Sequence, residues 1–263
     1  FTPTSGITSA ANVITVANAS YTNLAAKTGL AGSSLIYSID TKAPTLNSIT
    51  MSDSALKIGE TSVVTFTFSE AVTEFANADI TVQNGTLSPV ASSNGGITWT
   101  GTFTPTSGIT SAANVITVAN TSYTDLASNT GSGFTSGTYA IDTVSPTVAI
   151  TMSDSALKIG ETSVVTFTFS EAVTGFANAD ITVQNGTLSS VASSDGGVTW
   201  TGTFTPTSGI TSAVNVITVT NASYTDLATN TGSGLTSGTY SIDTKAPTVA
   251  ITMSDSALKI GET

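Results

Sequence analysis

The sequence predicts an all-β protein made of tandem antiparallel sandwiches, each with seven strands, joined by short linkers that contain proline. The first observation is an internal repeat, because the segment MSDSALKIGET begins at Met51, Met152 and Met253, a spacing of 101 residues. Residues 51–141 and 152–242 differ at ten of 91 positions. A period of this length has the size of an independent domain rather than of one solenoid turn. The chain is therefore a tandem array of nearly identical domains.

The second and third observations are composition and alternation. Hydrophobic residues make up 39% of the chain and charged residues 9%, which is too apolar and too weakly charged for disorder. Valine, isoleucine, threonine and phenylalanine recur in short stretches, and these residue types favour strands. Apolar and polar positions alternate within the stretches, and no stretch shows the periodicity of an amphipathic helix. The repeats are therefore expected to be built from half-buried strands.

The linkers follow from three similar strings, DTKAPT at 40–45, DTVSPT at 142–147 and DTKAPT at 243–248. Proline interrupts strand pairing and extends the residue before it, which suits a short, stiff connector. We therefore place complete repeats at residues 40–141 and 142–242. Residues 1–39 form the C-terminal part of a preceding repeat and residues 243–263 the N-terminal part of a following one. The chain is expected to be a section of a longer array.

The first strands of repeat 142–242 are predicted from alternation. Val148, Ile150 and Met152 alternate with polar residues, and the next strand follows in VVTFTFS at 164–170. In that strand Phe167 and Phe169 fix the face that points into the core. The strings ITVQ at 181–184 and TLSSV at 187–191 flank an Asn-Gly pair, which favours a hairpin with a type I′ turn.

The remaining strands complete the count. Asp195-Gly196-Gly197 predicts a tight turn, after which VTWTGTF at 198–204 directs Trp200 and Phe204 towards the core. NVITVT at 215–220 and GTYSI at 238–242 are the last two strands. Seven short strands in about 100 residues is the count typical of an immunoglobulin-like sandwich.

Several function classes are excluded by absent residue types. The chain has no histidine and no cysteine, and its six basic residues are all lysine. Thiolate nucleophiles, disulfides, zinc–thiolate sites and the commonest general base are therefore missing, and conventional enzyme chemistry is not expected. A net charge of −11 disfavours nucleic acid and anionic membranes as partners, and no apolar run is long enough for a membrane-spanning helix.

A set of motifs resembles one known family. The strings DTKAPT, SDSALKIGET, VVTFTFSEAVTGF, NADITV and YTDLATNTGSG resemble the bacterial immunoglobulin-like repeats of giant surface adhesins, of the biofilm-associated and type I-secreted kinds. The resemblance covers both complete and both partial repeats. It implies a seven-stranded sandwich, an extended rod and calcium at the domain junctions.

The positions of the carboxylates predict calcium sites independently of the resemblance. If strands run alternately up and down, the B–C, D–E and F–G loops share one end of the sandwich with the incoming linker, and acidic residues collect there. Carboxylates crowded at one end repel unless they are neutralised, and a calcium ion takes six to eight oxygen ligands. The candidate calcium ligands are Asp40, Glu70, Asp79, Asp125 and Asn129 in the first complete repeat and Asp142, Glu171, Asp180, Asp226 and Asn230 in the second.

A structural interpretation of the same residues stays open. Aspartate and asparagine are common in turns because their side chains bond the nearby backbone. Asp195 is replaced by Asn94 in the other repeat and Glu74 by Gly175, so neither is included in the proposed sites. Asn23 and Lys27 occupy the positions of Asp125 and Asn129 in the first partial repeat, which argues against a site there.

These observations favour a non-catalytic extender region of a bacterial cell-surface or secreted adhesin, located outside the cell and stiffened by calcium at its junctions. Its expected partners are adjacent repeats of the same chain. The first alternative is a self-associating surface filament or sheet, in which other copies of the chain are partners, and the second is a ligand-binding adhesin module.

Overall fold

The computed structural model describes residues 1–254 and 256–261, so the predicted last segment, 243–263, lies partly outside the described residues. The chain divides into two compact units, Phe1–Val144 and Ser145–Thr263. Apart from the short 3-10 turns Asn77–Asp79 and Asn178–Asp180, the described secondary structure consists of strands. Within the described part of the chain, no helix has the length and apolar character needed to span a lipid bilayer.

The first unit contains β1 to β17. In the partial repeat these are β1 (Thr8–Asn12), β2 (Thr15–Val16), β3 (Gly32–Ser33) and β4 (Tyr37–Asp40). In the complete repeat they are β5 (Leu46–Met51), β6 (Ala55–Lys57), β7 (Ser62–Phe68), β8 (Val72–Thr73), β9 (Ile80–Val82), β10 (Gly85–Leu87), β11 (Ala91–Ser92), β12 (Thr98–Pro105), β13 (Thr110–Asn114), β14 (Ile116–Val118), β15 (Thr124–Asp125), β16 (Phe134–Thr135) and β17 (Tyr139–Asp142).

The second unit contains the corresponding strands of the next repeat. They are β18 (Val148–Met152), β19 (Ala156–Lys158), β20 (Ser163–Phe169), β21 (Val173–Thr174), β22 (Ile181–Val183), β23 (Gly186–Leu188), β24 (Ala192–Ser193), β25 (Thr199–Pro206), β26 (Thr211–Asn215), β27 (Ile217–Val219), β28 (Thr225–Asp226), β29 (Leu235–Thr236) and β30 (Tyr240–Asp243).

In each complete repeat the described strands form one five-stranded sheet, two three-stranded sheets that oppose it, and a separate antiparallel pair, β8-β15 in the first unit and β21-β28 in the second. In the first unit one sheet has the antiparallel order β10-β12-β7-β5, with β11 also paired to β12. The opposing strands pair as β6-β17-β13 and β9-β14-β16. The second unit repeats this arrangement as β23-β25-β20-β18, β19-β30-β26 and β22-β27-β29. The predicted antiparallel pairing holds except for one parallel pair in each repeat, β6 with β17 and β19 with β30.

The core lies between the five-stranded sheet and the strands that oppose it. Along β7, buried and more accessible residues alternate, and Val64, Phe66 and Phe68 are at most 2% exposed. Phe103 of β12 on the same sheet and Ile116 of β14 on the opposing one belong to the same apolar cluster. In the second unit Phe167 and Phe169 are buried as predicted, because the strand pleat sends every second side chain to the same face.

Aromatic rings fill one end of this core. The ring of Phe75 packs edge-on against Phe66, Phe68 and Trp99, with centroid distances of 5.0–5.6 Å. Trp200 makes the equivalent contact with Phe176 at 5.6 Å. These contacts confirm that both tryptophans lie on the core side of their strands, and edge-to-face packing adds to the burial energy.

The partial repeat at residues 1–39 exposes side chains that the complete repeats bury. Strand β1 pairs with β4, and β2 pairs with β3, as β13 pairs with β17 and β14 with β16. Ile14 and Val16 are 52% and 46% exposed, whereas their counterparts Ile116 and Val118 are 0% and 3% exposed. The strand pairing is thus the same, while the side chains at these positions are covered only in the complete repeat.

The predicted Asn-Gly hairpin is wrong. Strand β22 pairs with β27 and β23 pairs with β25, so the segment at Asn185 carries the chain from one sheet to the other. Asn185 does adopt a left-handed φ of 52°. Gly186, however, is required for close packing, since a Cβ there would lie 2.3 Å from the ring of Phe204. The predicted turn at residues 195–197 is confirmed, since β24 and β25 on either side of it pair with each other.

The predicted number of seven strands per repeat is not confirmed. Several predicted strands are divided in the structure, so that NVITVT, for example, spans the end of β26 and all of β27. The interruption coincides with an irregular register between Ser212 and Asn215 where β26 pairs with β30. The all-β sandwich itself is confirmed.

The position of Phe66 in the core predicts that truncating its side chain strongly destabilises its own repeat. We expect Phe66→Ala to lower the free energy of unfolding of its repeat by about 3–5 kcal/mol, because it removes a fully buried ring and leaves a cavity. Phe167→Ala in the second repeat serves as a replicate in the same surroundings. Urea denaturation followed by tryptophan fluorescence measures both effects.

The control for this substitution is Val63→Ala on the same strand, since Val63 is 46% exposed. It should change the free energy of unfolding by no more than about 1 kcal/mol, in line with other exposed strand positions. Equal losses for Phe66→Ala and Val63→Ala would contradict the assignment of the core face.

Candidate metal centre

Three carboxylates from separate parts of the first unit meet beside the linker. Asp40 is the last residue of β4, Glu70 follows β7 by two residues, and Asp125 ends β15. One carboxylate oxygen from each lies within 4.8 Å of the other two. Asp125 is only 3% exposed, whereas Asp40 and Glu70 are half-buried. We call Asp40, Glu70 and Asp125 the carboxylate group.

The loop after β15 positions Asp125 through its own backbone. The Asp125 Oδ1 atom accepts hydrogen bonds from the backbone N–H groups of Ala127 at 2.8 Å and Asn129 at 2.9 Å. The Asn129 Nδ2 group donates to Asp125 Oδ2 at 2.8 Å and to the carbonyl oxygen of Asp40 at 3.3 Å. These bonds hold a buried carboxylate in place and connect it to the linker.

A close glycine contact supports the same loop. The Tyr123 hydroxyl donates to the carbonyl oxygen of Ser132 at 2.8 Å, so the loop folds back over the tyrosine ring. A Cβ at Gly131 would lie 2.0 Å from that ring, which excludes a larger residue unless the ring moves. The string YTDLASNTGSG therefore encodes one packed unit in which the aspartate and the asparagine face each other.

Asp40 is held by neighbours on both sides of the linker. Its Oδ1 atom accepts hydrogen bonds from the Thr8 hydroxyl at 3.0 Å and from the backbone N–H of Lys42 at 3.2 Å. The contribution of Thr8 is not among the sequence-based predictions. A signal was nevertheless present, because Thr110 and Asp142 recur at the same spacing, and their side chains form the same bond at 2.9 Å.

Burial and neighbouring negative charges both disfavour the charged form of Glu70. Partial burial raises the pKa of the Glu70 carboxyl above its ordinary value of 4.5, and the negative charges of Asp40 and Asp125 raise it further. The positive charge of Lys42 acts in the opposite direction. The charged form of Glu70 is thus disfavoured, which is the behaviour expected where carboxylates share a site without a counter-ion.

Asp79 has a different local role. Its Oδ2 atom accepts a hydrogen bond from the backbone N–H of Ala76 at 2.8 Å, at the start of the turn Asn77–Asp79. Asp180 makes the same contact with Ala177 at 2.8 Å. Asp79 is not among the three carboxylates that approach within 4.8 Å. Of the five residues predicted in this repeat, the structure brings together Asp40, Glu70, Asp125 and Asn129.

The second set of predicted residues falls in both units. Asp142 ends β17 in the first unit, where its Oδ1 atom also accepts the backbone N–H of Val144 at 3.2 Å. Glu171 follows β20 in the second unit. Asp226 and Asn230 are 1% and 3% exposed, and their side chains hydrogen bond at 2.8 Å as in the first repeat. The local structure that presents the buried aspartate is therefore the same in both repeats.

The carboxylate group has the chemistry of a hard-cation site. Calcium binds oxygen ligands at about 2.3–2.6 Å, so two ligands of one ion lie at most about 5 Å apart. The carboxylate oxygens meet this limit without rearrangement. The donor set contains oxygen but no histidine or cysteine, which suits calcium better than zinc or copper. The residues present therefore fit a calcium ion.

Comparison with known proteins identifies the family. The bacterial Ig-like domain family matches residues 40–141 and 142–242, and the chain belongs to this family. Membership confirms the tandem immunoglobulin-like architecture and the resemblance to bacterial Ig-like repeats. The narrower resemblance to giant type I-secreted adhesins stays a prediction. No match is found among curated proteins.

Solved structures give only distant similarity. The adhesin InvE of Yersinia pseudotuberculosis aligns over 73% of this chain and 58% of its own, at 14% identity and a TM-score of 0.29. The Escherichia coli adhesin FdeC aligns over 74% and 63%, at 18% identity and a TM-score of 0.27. The N-terminal part of the bacterial S-layer protein SbsC aligns over 76% and 44%, at 14% identity and a TM-score of 0.27. The chain thus spans less than two thirds of each.

The raised pKa of Glu70 predicts that neutralising this residue stabilises the metal-free protein. Because the folded-state pKa lies above the unfolded value of 4.5, the charged carboxylate destabilises the fold at neutral pH. This cost declines as the pH falls through the folded-state pKa and is absent below 4.5, where the carboxyl is protonated in both states. In calcium-free buffer, Glu70→Gln should therefore raise the free energy of unfolding at pH 7 by up to about 1 kcal/mol, since solvent screens part of the repulsion.

Urea denaturation at several pH values tests this prediction. The gain from Glu70→Gln should shrink towards acid pH, while the exposed control Glu74→Gln should change stability little at any pH. A loss of stability for Glu70→Gln at pH 7 in calcium-free buffer would contradict the repulsion inferred for the carboxylate group.

Proposed function

We propose that this chain is part of the non-catalytic extender region of a bacterial cell-surface or secreted adhesin, with calcium bound at the carboxylate group. An extender holds a distal binding module away from the cell. The proposal is supported by membership of the bacterial Ig-like domain family and by the near-identity of the two complete repeats, since spacer domains all perform the same task.

The main support for the proposal is that the three carboxylates come from both sides of the linker. Asp40 ends β4, where the linker begins, and is bonded to Thr8 of the preceding partial repeat, whereas Glu70 and Asp125 belong to the following repeat. A cation bound by all three would tie the linker to the repeat that follows it. Without the cation, repulsion among the same side chains acts to push the linker away.

The charges and hydrogen bonds around the carboxylate group indicate a modest affinity for calcium. Asp125 already accepts three hydrogen bonds, so part of its charge is compensated before any ion arrives. The Lys42 charge also opposes a cation. Extracellular calcium modules commonly have dissociation constants of about 10⁻⁴–10⁻³ M, and we place this site in that range. Such a site would be filled outside a cell and largely empty inside one.

Calorimetric titration of the full chain with calcium tests the binding step. We expect Glu70→Gln to reduce the binding heat, because it removes one of three charged ligands from the carboxylate group. At a calcium concentration about 100 times the dissociation constant, each occupied site should raise the free energy of unfolding by about 2.7 kcal/mol.

The matched control for the titration is Glu74→Gln. Glu74 is exposed and its counterpart in the next repeat is Gly175, so it should leave calcium binding unchanged. A parallel titration with magnesium separates a flexible calcium site from a general anionic surface, because magnesium needs shorter and more regular coordination. The absence of calcium-dependent heat from the unaltered chain would refute the calcium proposal.

Stiffening by calcium is a separate prediction with its own measurement. Small-angle X-ray scattering of the full chain should show a larger and more narrowly distributed maximum dimension in calcium than in chelator, because neutralised junctions no longer repel. If calcium binding is demonstrated but the dimensions are equal in both conditions, the stiffening prediction is refuted while the proposed calcium site stands.

Light scattering over a range of protein concentrations completes this test. A monomer at all concentrations supports a spacer, in which each repeat contacts its neighbours in the same chain. A concentration-dependent polymer would favour the surface filament instead.

A further inference from the structure

We propose that Asn94 is a site of spontaneous deamidation, through which the first complete repeat acquires the aspartate that the second carries as Asp195. The chain contains three Asn-Gly pairs, at Asn84, Asn94 and Asn185. Attack by the backbone nitrogen of the following residue on the asparagine side chain is least hindered when that residue is glycine. The fold places the three pairs in two different environments, and these environments separate the reactive asparagine from the protected ones.

The environment of Asn94 leaves its amide nitrogen available as a leaving group. Asn94 and Gly95 are exposed at the tip of the turn between β11 and β12. Among the described residues, none accepts a hydrogen bond from Asn94 Nδ2. A Cβ built at Gly95 meets no atom within 4 Å, so the turn has open space on that side.

The same turn provides donors for the charge that develops during the reaction. The Asn94 Oδ1 atom accepts hydrogen bonds from the backbone N–H of Thr98 at 2.9 Å and from the Ser92 hydroxyl at 3.1 Å. Attack at Cγ places negative charge on this oxygen. Donors already aimed at an oxygen that becomes negative lower the barrier to such a step.

The second repeat shows that the turn accommodates the product. Asp195 Oδ1 accepts equivalent bonds from Thr199 N–H at 2.9 Å and from the Ser193 hydroxyl at 2.8 Å. The backbone bond from Thr199, followed by the side-chain bonds from Ser193 and Thr199, lowers the pKa of Asp195 to about 2. An aspartate at position 94 would enter a turn that is already suited to a negative charge.

Asn84 and Asn185 are held in a different way. The Nδ2 group of Asn84 donates to Asn114 Oδ1 at 2.7 Å, and Asn185 makes the same bond to Asn215 at 2.6 Å. The amide nitrogen that would have to leave is thus bound to a buried side chain. Gly85 is fixed as well, because it belongs to β10 and a Cβ there would lie 2.2 Å from the ring of Phe103.

The proposed step needs only water. The Gly95 nitrogen forms a bond to Asn94 Cγ while hydroxide or water accepts the Gly95 N–H proton, and the Cγ–Nδ2 bond breaks with release of ammonia. The product is a succinimide. Water then opens the ring, giving aspartate when the bond from Cγ to the Gly95 nitrogen breaks and isoaspartate when the bond from the main-chain carbonyl carbon breaks.

The test is to incubate the full folded chain at mildly alkaline pH in water enriched in heavy oxygen and to map its peptides by mass spectrometry. Asn84 and Asn185 are internal controls, and an Asn94→Asp variant supplies the reference peptide for the aspartate product. We expect Asn94 to convert at least about ten times faster than either control, the factor that a barrier difference of one ordinary hydrogen bond produces.

A parallel incubation in concentrated urea shows whether the fold is responsible. There the three sites should convert at similar rates, because the hydrogen bonds and strand contacts that distinguish them are lost. Equal rates in the folded chain, or a slower rate at Asn94, would overturn the proposal. A preference for Asn94 that is as large in urea as in the folded chain would overturn the structural explanation and assign the difference to the local sequence.

Discussion

The buried carboxylate of Asp125, 3% exposed, needs partners, and the linker end of the repeat supplies them. Backbone N–H groups of Ala127 and Asn129 satisfy one oxygen, and the Asn129 side chain satisfies the other and reaches the linker. The turn that results brings Asp125 towards Asp40 and Glu70, where partial burial, and then the negative charges of Asp40 and Asp125, raise the pKa of Glu70. The conformation of the loop and its contact with the linker thus depend on how one negative charge is accommodated.

Much of this arrangement follows from the sequence, since strand alternation fixes the core face and topology predicts that Asp40, Glu70 and Asp125 share one end. Two predictions were less complete for physical reasons. A left-handed asparagine suits a hairpin, but it equally suits a crossover between sheets, and the two are distinguished by the long-range pairing of β22 with β27 and of β23 with β25. Asp79 shares the predicted end but has a backbone partner in Ala76, which topology cannot reveal.

The near-identity of the repeats makes their few differences informative. Lys42, whose charge acts on Glu70, is replaced by Val144 at the start of the next repeat. Glu74 and Gly175 both have positive φ, of 63° and 78°, so the glycine adopts without strain a conformation that costs the glutamate energy. The differences occur at linkers, at loop tips and in some paired strands, such as Phe134 in β16 and its counterpart Leu235 in β29, while the core positions in β7 and β20 are unchanged. The buried face of β7 and β20 is thus the same in both repeats, whereas linkers, loops and other strands vary.

The parallel pairing of β6 with β17 has a mechanical consequence. Strand β6 lies near the start of the repeat and β17 at its end, and the pair runs in the same direction from Ala55 and Ala140 to Lys57 and Asp142. Tension on the two ends of the repeat pulls these strands in opposite directions along their length. The hydrogen bonds between them are therefore loaded together in shear instead of opening one after another. Leu56 and Ile141, each 1% exposed, would have to leave the core in the same movement, so the strands that carry the load are also anchored by burial.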